Sequence, residues 1–164
     1  MKKVVLLVML PAFVSNTSVE KLETNYEKEE IIELEAKVPT LSISEDELVR
    51  ALIMVESRGN DSAVGDRHLV GNEAVGALQI RPIMVREVNR ILKIQKSDRR
   101  FTLKDRYDRE KTIEMFYIWK NHHHKDSKFE VIARNWNGGP KGYKSNKTEK
   151  YWNKVEQQLN KENG

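Results

Sequence analysis

From residue 44 onward, apolar side chains recur every three or four positions in five separate stretches, the spacing that places them on one face of a helix. Ser44-Glu45-Asp46-Glu47 has the form of a capping box, in which the Ser44 hydroxyl accepts from the Glu47 amide while Glu47 reaches back. Leu48, Ala51, Leu52 and Val55 follow on one face, so a helix is expected to about Ser57, with Gly59 ending it. Pro82 suits the first turn of a second helix, which buries Met84, Val88 and Ile91. A third helix follows Asp108 and uses Ile113, Phe116 and Tyr117. A fourth carries Phe129, Ile132, Ala133 and Trp136 and must stop at Gly138-Gly139-Pro140. The last runs from about Lys147 to Leu159, with Trp152, Val155 and Leu159 as its core stripe. No segment alternates cleanly over six residues, so any sheet is a small hairpin within residues 60–80. The fold class read from this pattern is mainly α, with a long loop or small hairpin after the first helix.

The first forty residues have a different character. Lys2 and Lys3 precede an apolar run from Val4 to Val14, and small polar residues follow. That is the layout of a secretory signal, read here as residues 1–18. The run is too short to span a bilayer. Residues 19–40 are acidic, poor in large apolar side chains and closed by Pro39, and read as a tether. Residues 41–164 are then the folded domain. No internal repeat is visible.

Composition narrows the chemistry. The 164 residues contain no cysteine, which excludes a disulfide scaffold, a thiol nucleophile and a cysteine-ligated zinc site. The net charge is +4, and residues 41–164 alone carry 24 basic against 18 acidic side chains. Such a domain favours polyanionic partners: nucleic acid, a membrane surface or an acidic cell-wall polymer. The arginines of Asp98-Arg99-Arg100 and Asp105-Arg106-Tyr107-Asp108-Arg109 are interleaved with acids, which breaks a phosphate-binding stripe and reads as a salt-bridged loop. His122-His123-His124 are consecutive, and successive helical positions point about 100° apart, so the three do not converge on one metal ion.

Four constellations carry candidate chemistry. Glu56, within Val55-Glu56-Ser57-Arg58, lies one turn beyond Leu52, beside the apolar face; a carboxyl held there keeps its proton near neutrality, whereas a solvated glutamate at a helix end does nothing special. Gln79, in Gly76-Ala77-Leu78-Gln79-Ile80, offers a neutral donor and acceptor, or is merely a polar loop residue. Asn137, before Gly138-Gly139-Pro140, is either fixed at a sharp turn or part of plain helix termination. Tyr151 adjoins Trp152; with Trp152 in the core stripe, Tyr151 either faces a cleft or packs at the boundary.

In this order the four motifs resemble the soluble lytic transglycosylases, cell-wall enzymes of bacteria and bacteriophages with a lysozyme-like fold. Glu56-Ser57, Gly76-Ala77-Leu78-Gln79, Trp136-Asn137-Gly138-Gly139-Pro140 and Tyr151 stand where that family has its Glu-Ser, Gly-Leu-Met-Gln, Tyr-Asn-Ala-Gly and late-tyrosine motifs, over residues 42–159. Trp136 departs from the usual tyrosine and implies an altered sugar-stacking surface. The resemblance implies that Glu56 is a single catalytic acid acting between N-acetylmuramic acid and N-acetylglucosamine of peptidoglycan. It also implies that Ser57, Gln79, Asn137 and Tyr151 bind substrate or orient Glu56. The expected product is a 1,6-anhydro end, formed without metal or cofactor by an exported monomer that neither binds nucleic acid nor stays in the membrane. No second carboxylate is nominated, although Asp61, Asp66 and Glu73 lie on the loop after Glu56. A hydrolytic lysozyme of the same fold and a non-catalytic peptidoglycan-binding module are the alternatives.

Overall fold

The computed structural model describes residues 43–162, and the signal and tether read from the sequence lie outside them. Five helices follow in order: α1 (Glu45–Ser57), α2 (Pro82–Ile94), α3 (Arg109–His123), α4 (Phe129–Gly138) and α5 (Glu149–Glu162). Two two-residue strands, β1 (Val64–Gly65) and β2 (Ala74–Val75), pair antiparallel between α1 and α2, with Val64 opposite Val75 and Gly65 opposite Ala74. The fold class is mainly α, as the periodicity requires.

Local chemistry sets the ends. Ser44 and Glu47 form the capping box from both sides, with the Glu47 amide donating to Ser44 Oγ at 3.2 Å. The turn out of α1 begins one residue before the glycine expected to make it: Arg58 takes the left-handed conformation (φ 55°), and Gly59 continues it (φ 80°). Pro82 opens α2, and Asp108 caps α3 by accepting from the Lys111 amide at 3.1 Å. Three short 3-10 turns, absent from the periodicity reading, complete the chain: Leu103–Tyr107, Gly142–Lys144 and Asn146–Thr148. Stretches of three to five residues are too short to display a period.

One apolar core joins the helices. Leu48, Ala51 and Leu52 of α1 meet Met115 and Phe116 of α3, Ile132 and Ala133 of α4, and Val155 and Leu159 of α5, all essentially inaccessible to solvent. Trp136 turns inward: its ring packs edge-on against Phe116 (centroids 5.2 Å apart) and Trp119 (5.1 Å). Trp136 thus belongs to the aromatic cluster at the edge of the core while staying partly exposed. The histidines have separate neighbours. His123 Nε2 meets Glu87 Oε1 of α2 at 2.7 Å, and the His124 ring lies 4.8 Å from Trp119.

Candidate functional site

α1 and α5 pack against each other, and that packing makes the site. Glu56 is on the last turn of α1 and Tyr151 on the first turn of α5, 95 residues apart in sequence. The Tyr151 hydroxyl donates to Glu56 Oε1 at 2.7 Å. Tyr151 therefore faces Glu56, while Trp152 beside it lies half-buried against the core.

The Glu56 carboxyl is pushed up to about 7, first because burial desolvates its charged form. The Tyr151 hydrogen bond opposes that shift, and the negative charge of Asp66 adds to it. Tyr151 is pushed up in turn, by burial, by the Glu56 charge and by its bond to Glu56. At neutral pH the pair thus holds one proton that is easily gained or lost, on a carboxyl that is both donor and acceptor when neutral.

Asp66 approaches from the loop that joins β1 to β2, directly after β1. It adopts a left-handed conformation (φ 50°) and is held by Arg81, whose Nε donates to Asp66 Oδ2 at 3.1 Å. Of the loop carboxylates considered from the sequence, this is the one that bears on Glu56. Asp61 instead accepts from Arg109 Nε at 2.9 Å, and Glu73 Oε1 accepts from the Gly71 amide at 3.1 Å.

The other expected residues are placed differently. Gln79, itself left-handed (φ 49°), donates its amide to Ala63 O (3.3 Å) and Gly76 O (3.0 Å), so its side chain ties the hairpin together. Ser57 Oγ donates back to Ile53 O at 3.2 Å, within α1. Asn137 is exposed on the last turn of α4; the asparagine with a buried structural role is Asn135, which accepts from the Tyr143 amide at 2.9 Å. Arg106 is buried and holds the loop over the hairpin, its Nη1 donating to Glu73 O (3.0 Å) and Ile80 O (3.1 Å). Nothing in the local sequence distinguishes Arg106 or Asn135 from their exposed neighbours.

Among the described residues, no group of three or more His, Asp or Glu side chains is placed to hold a metal ion, and no helix is long and apolar enough to cross a membrane. No family model matches the chain, and no curated protein matches it. The chain is similar to one in the crystal structure of Aeromonas hydrophila PliI in complex with Meretrix lusoria lysozyme: 18% identity, TM-score 0.57, covering 71% of this chain and 91% of that one. At that identity the likeness concerns the fold.

These findings correct the assignment drawn from the four motifs. The similar structure is a protein–protein complex, and neither protein in it is a lytic transglycosylase. Membership of that family is withdrawn, together with the glycosidic cleavage and the enzyme assignment that rested on it, whether transglycosylase or hydrolytic lysozyme. The physical reason is that three of the motif residues have sufficient structural occupations or exposed positions: Ser57 bonds within its helix, Gln79 braces the hairpin, and Asn137 stands at a helix end. The Glu56–Tyr151 pair remains as a site whose protonation is set by its surroundings, and the fold around it is one found in a complex of two binding partners.

Proposed function

We propose that this chain is an exported wall-binding protein that holds peptidoglycan glycan strands at the Glu56–Tyr151 pair. The observation that carries the reading is the Glu56 carboxyl, desolvated, hydrogen-bonded to Tyr151 and protonated up to about pH 7. A neutral carboxyl donates and accepts, which suits an uncharged sugar rich in hydroxyl and acetamido groups, whereas a carboxylate only accepts. The surplus of basic residues over 41–164 supports the same setting, because bacterial walls carry anionic polymers. In this reading residues 1–18 are removed on export, 19–40 are a tether, and 41–164 bind as a monomer without metal or cofactor.

Co-sedimentation with insoluble peptidoglycan tests it. Binding is expected to be stronger at pH 6 than at pH 8, and Glu56→Gln, permanently neutral, to keep the low-pH affinity at pH 8. Failure to co-sediment overturns the reading, and so does mass-spectrometric detection of soluble muropeptides released by the chain. A second reading, a protein partner, has one observation in its favour: the similar fold was solved in a protein–protein complex. Titration with a lysozyme, followed by light scattering, distinguishes it.

A further inference from the structure

The strap between α4 and α5 has no part in the Glu56 pair, yet buried polar groups are committed to holding it. The guanidinium of Arg134, buried in α4, donates from Nε to Thr148 Oγ1 at 3.0 Å and from Nη2 to Ser145 O at 3.1 Å. Thr148 Oγ1 donates to Gly142 O at 2.7 Å, and Asn135 Oδ1 accepts from the Tyr143 amide at 2.9 Å. Gly142 packs so closely that a Cβ there would run into the Arg134 carbonyl oxygen. These contacts fix the backbone of 142–148 as two successive 3-10 turns.

The strap and the first turn of α5 carry Lys141, Lys144, Lys147 and Lys150, one at every third position, with Lys154 one turn further along α5. Lys144 closes the first 3-10 turn and Lys147 lies in the second, so both are set on the segment that the buried contacts hold. All five lysines are exposed, and none is in an ion pair among the described residues. The one acid in residues 141–154, Glu149, lies 3.8 Å from Arg134 Nη2 and is directed to that buried cation. Five arginines of the domain behave in the opposite way: Arg81, Arg90, Arg99, Arg109 and Arg134 are all neutralised by a carboxylate. A row of un-neutralised like charges on a fixed backbone repels itself and is relieved by a polyanion.

We infer that the lysine row along this strap and the start of α5 is a second binding surface, for a linear phosphodiester polymer of the polyol-phosphate class found in walls. The inference rests on the wall-binding reading for its setting, and on the strap alone for its chemistry. Lysine is a compact point charge suited to evenly repeated single charges. The strap holds no arginine fork for guanine. The one aromatic between α4 and α5, Tyr143, has the Lys144 ammonium over its ring at 5.5 Å, so it offers poor stacking for a nucleic-acid base.

The test uses the full chain on immobilised poly(glycerol phosphate) across a salt series. With Lys141, Lys144, Lys147 and Lys150 all changed to Gln, affinity at low salt is expected to fall about tenfold or more, and the log–log salt slope by about 3. Changing the same four to Arg should restore affinity. Unchanged affinity in the Gln variant overturns the inference, as does a loss that the Arg variant fails to restore. Tighter binding to poly-dT of matched length overturns it in favour of nucleic acid. Glycan strands stripped of anionic polymer are measured in parallel, and binding there is expected to be equal in all three proteins. If stripped glycan binds none of them while the polymer result holds, the Glu56 reading fails and the strap inference stands.

Discussion

At the scale of single residues, Glu56 links stability to pH. Its folded-state value of about 7 lies above the ordinary 4.5, so between those two values the folded chain keeps a proton that the unfolded chain has lost. Stability from this group is full below about pH 4.5 and falls as pH rises to about 7, by about 3 kcal/mol at most. Urea midpoints measured from pH 4.5 to 8 should show that decline in the wild type and not in Glu56→Gln. Tyr151→Phe removes the one interaction that favours the charged carboxylate. The Glu56 titration, followed by carbon NMR, should move further above 7, at a stability cost of about 1 kcal/mol. A Glu56 titration unchanged in Tyr151→Phe would show that the hydroxyl has no electrostatic hold on the carboxyl.

Elements are held in place by buried backbone contacts as much as by apolar faces. Gly76 sits at φ 80°, and an added Cβ would meet the Arg106 carbonyl oxygen, so Gly76→Ala is strained twice over. It should destabilise the chain by about 2 kcal/mol or more, measured by denaturant unfolding. The strap behaves likewise. Arg134→Met leaves Thr148 and the Ser145 carbonyl without their cationic partner and should cost about 2–4 kcal/mol. Hydrogen exchange localises the effect: the amides of 142–148 should lose protection first, while α1 and α3 keep theirs. Equal loss of protection everywhere would mean that Arg134 supports the whole core and has no special tie to the strap.

For the whole molecule, the compact unit Ile43–Gly164 contains every described element and the entire apolar core. A chain starting at residue 41 should therefore show the same helical circular dichroism per folded residue as the full chain and a single cooperative transition. A transition that broadens or falls by several degrees on removing residues 1–40 would show that they contribute to the core. The charge surplus also belongs to this scale, because it concerns which partners the folded domain attracts and leaves the fold itself unaffected.

Helix positions were legible because each helix repeats its apolar spacing over about two turns or more, and the first four carry a start or stop signal at Ser44, Pro82, Asp108 or Gly138-Gly139-Pro140. The position of Glu56 beside an apolar face followed from the same period, whereas spacing left Tyr151 open between a cleft and the boundary of the core. The sequence by itself determined these local features, since each depends on residues a few positions apart. Only the tertiary structure decided the rest. Glu56 meets Tyr151 across 95 residues, and Asp66 is brought to bear on Glu56 through Arg81. Gln79 is spent on the hairpin, and Asn135 rather than Asn137 is drawn inside. The reason is that a polar side chain's partner is chosen by which backbone groups burial leaves unpaired, and that is set by how helices pack rather than by any spacing along the chain.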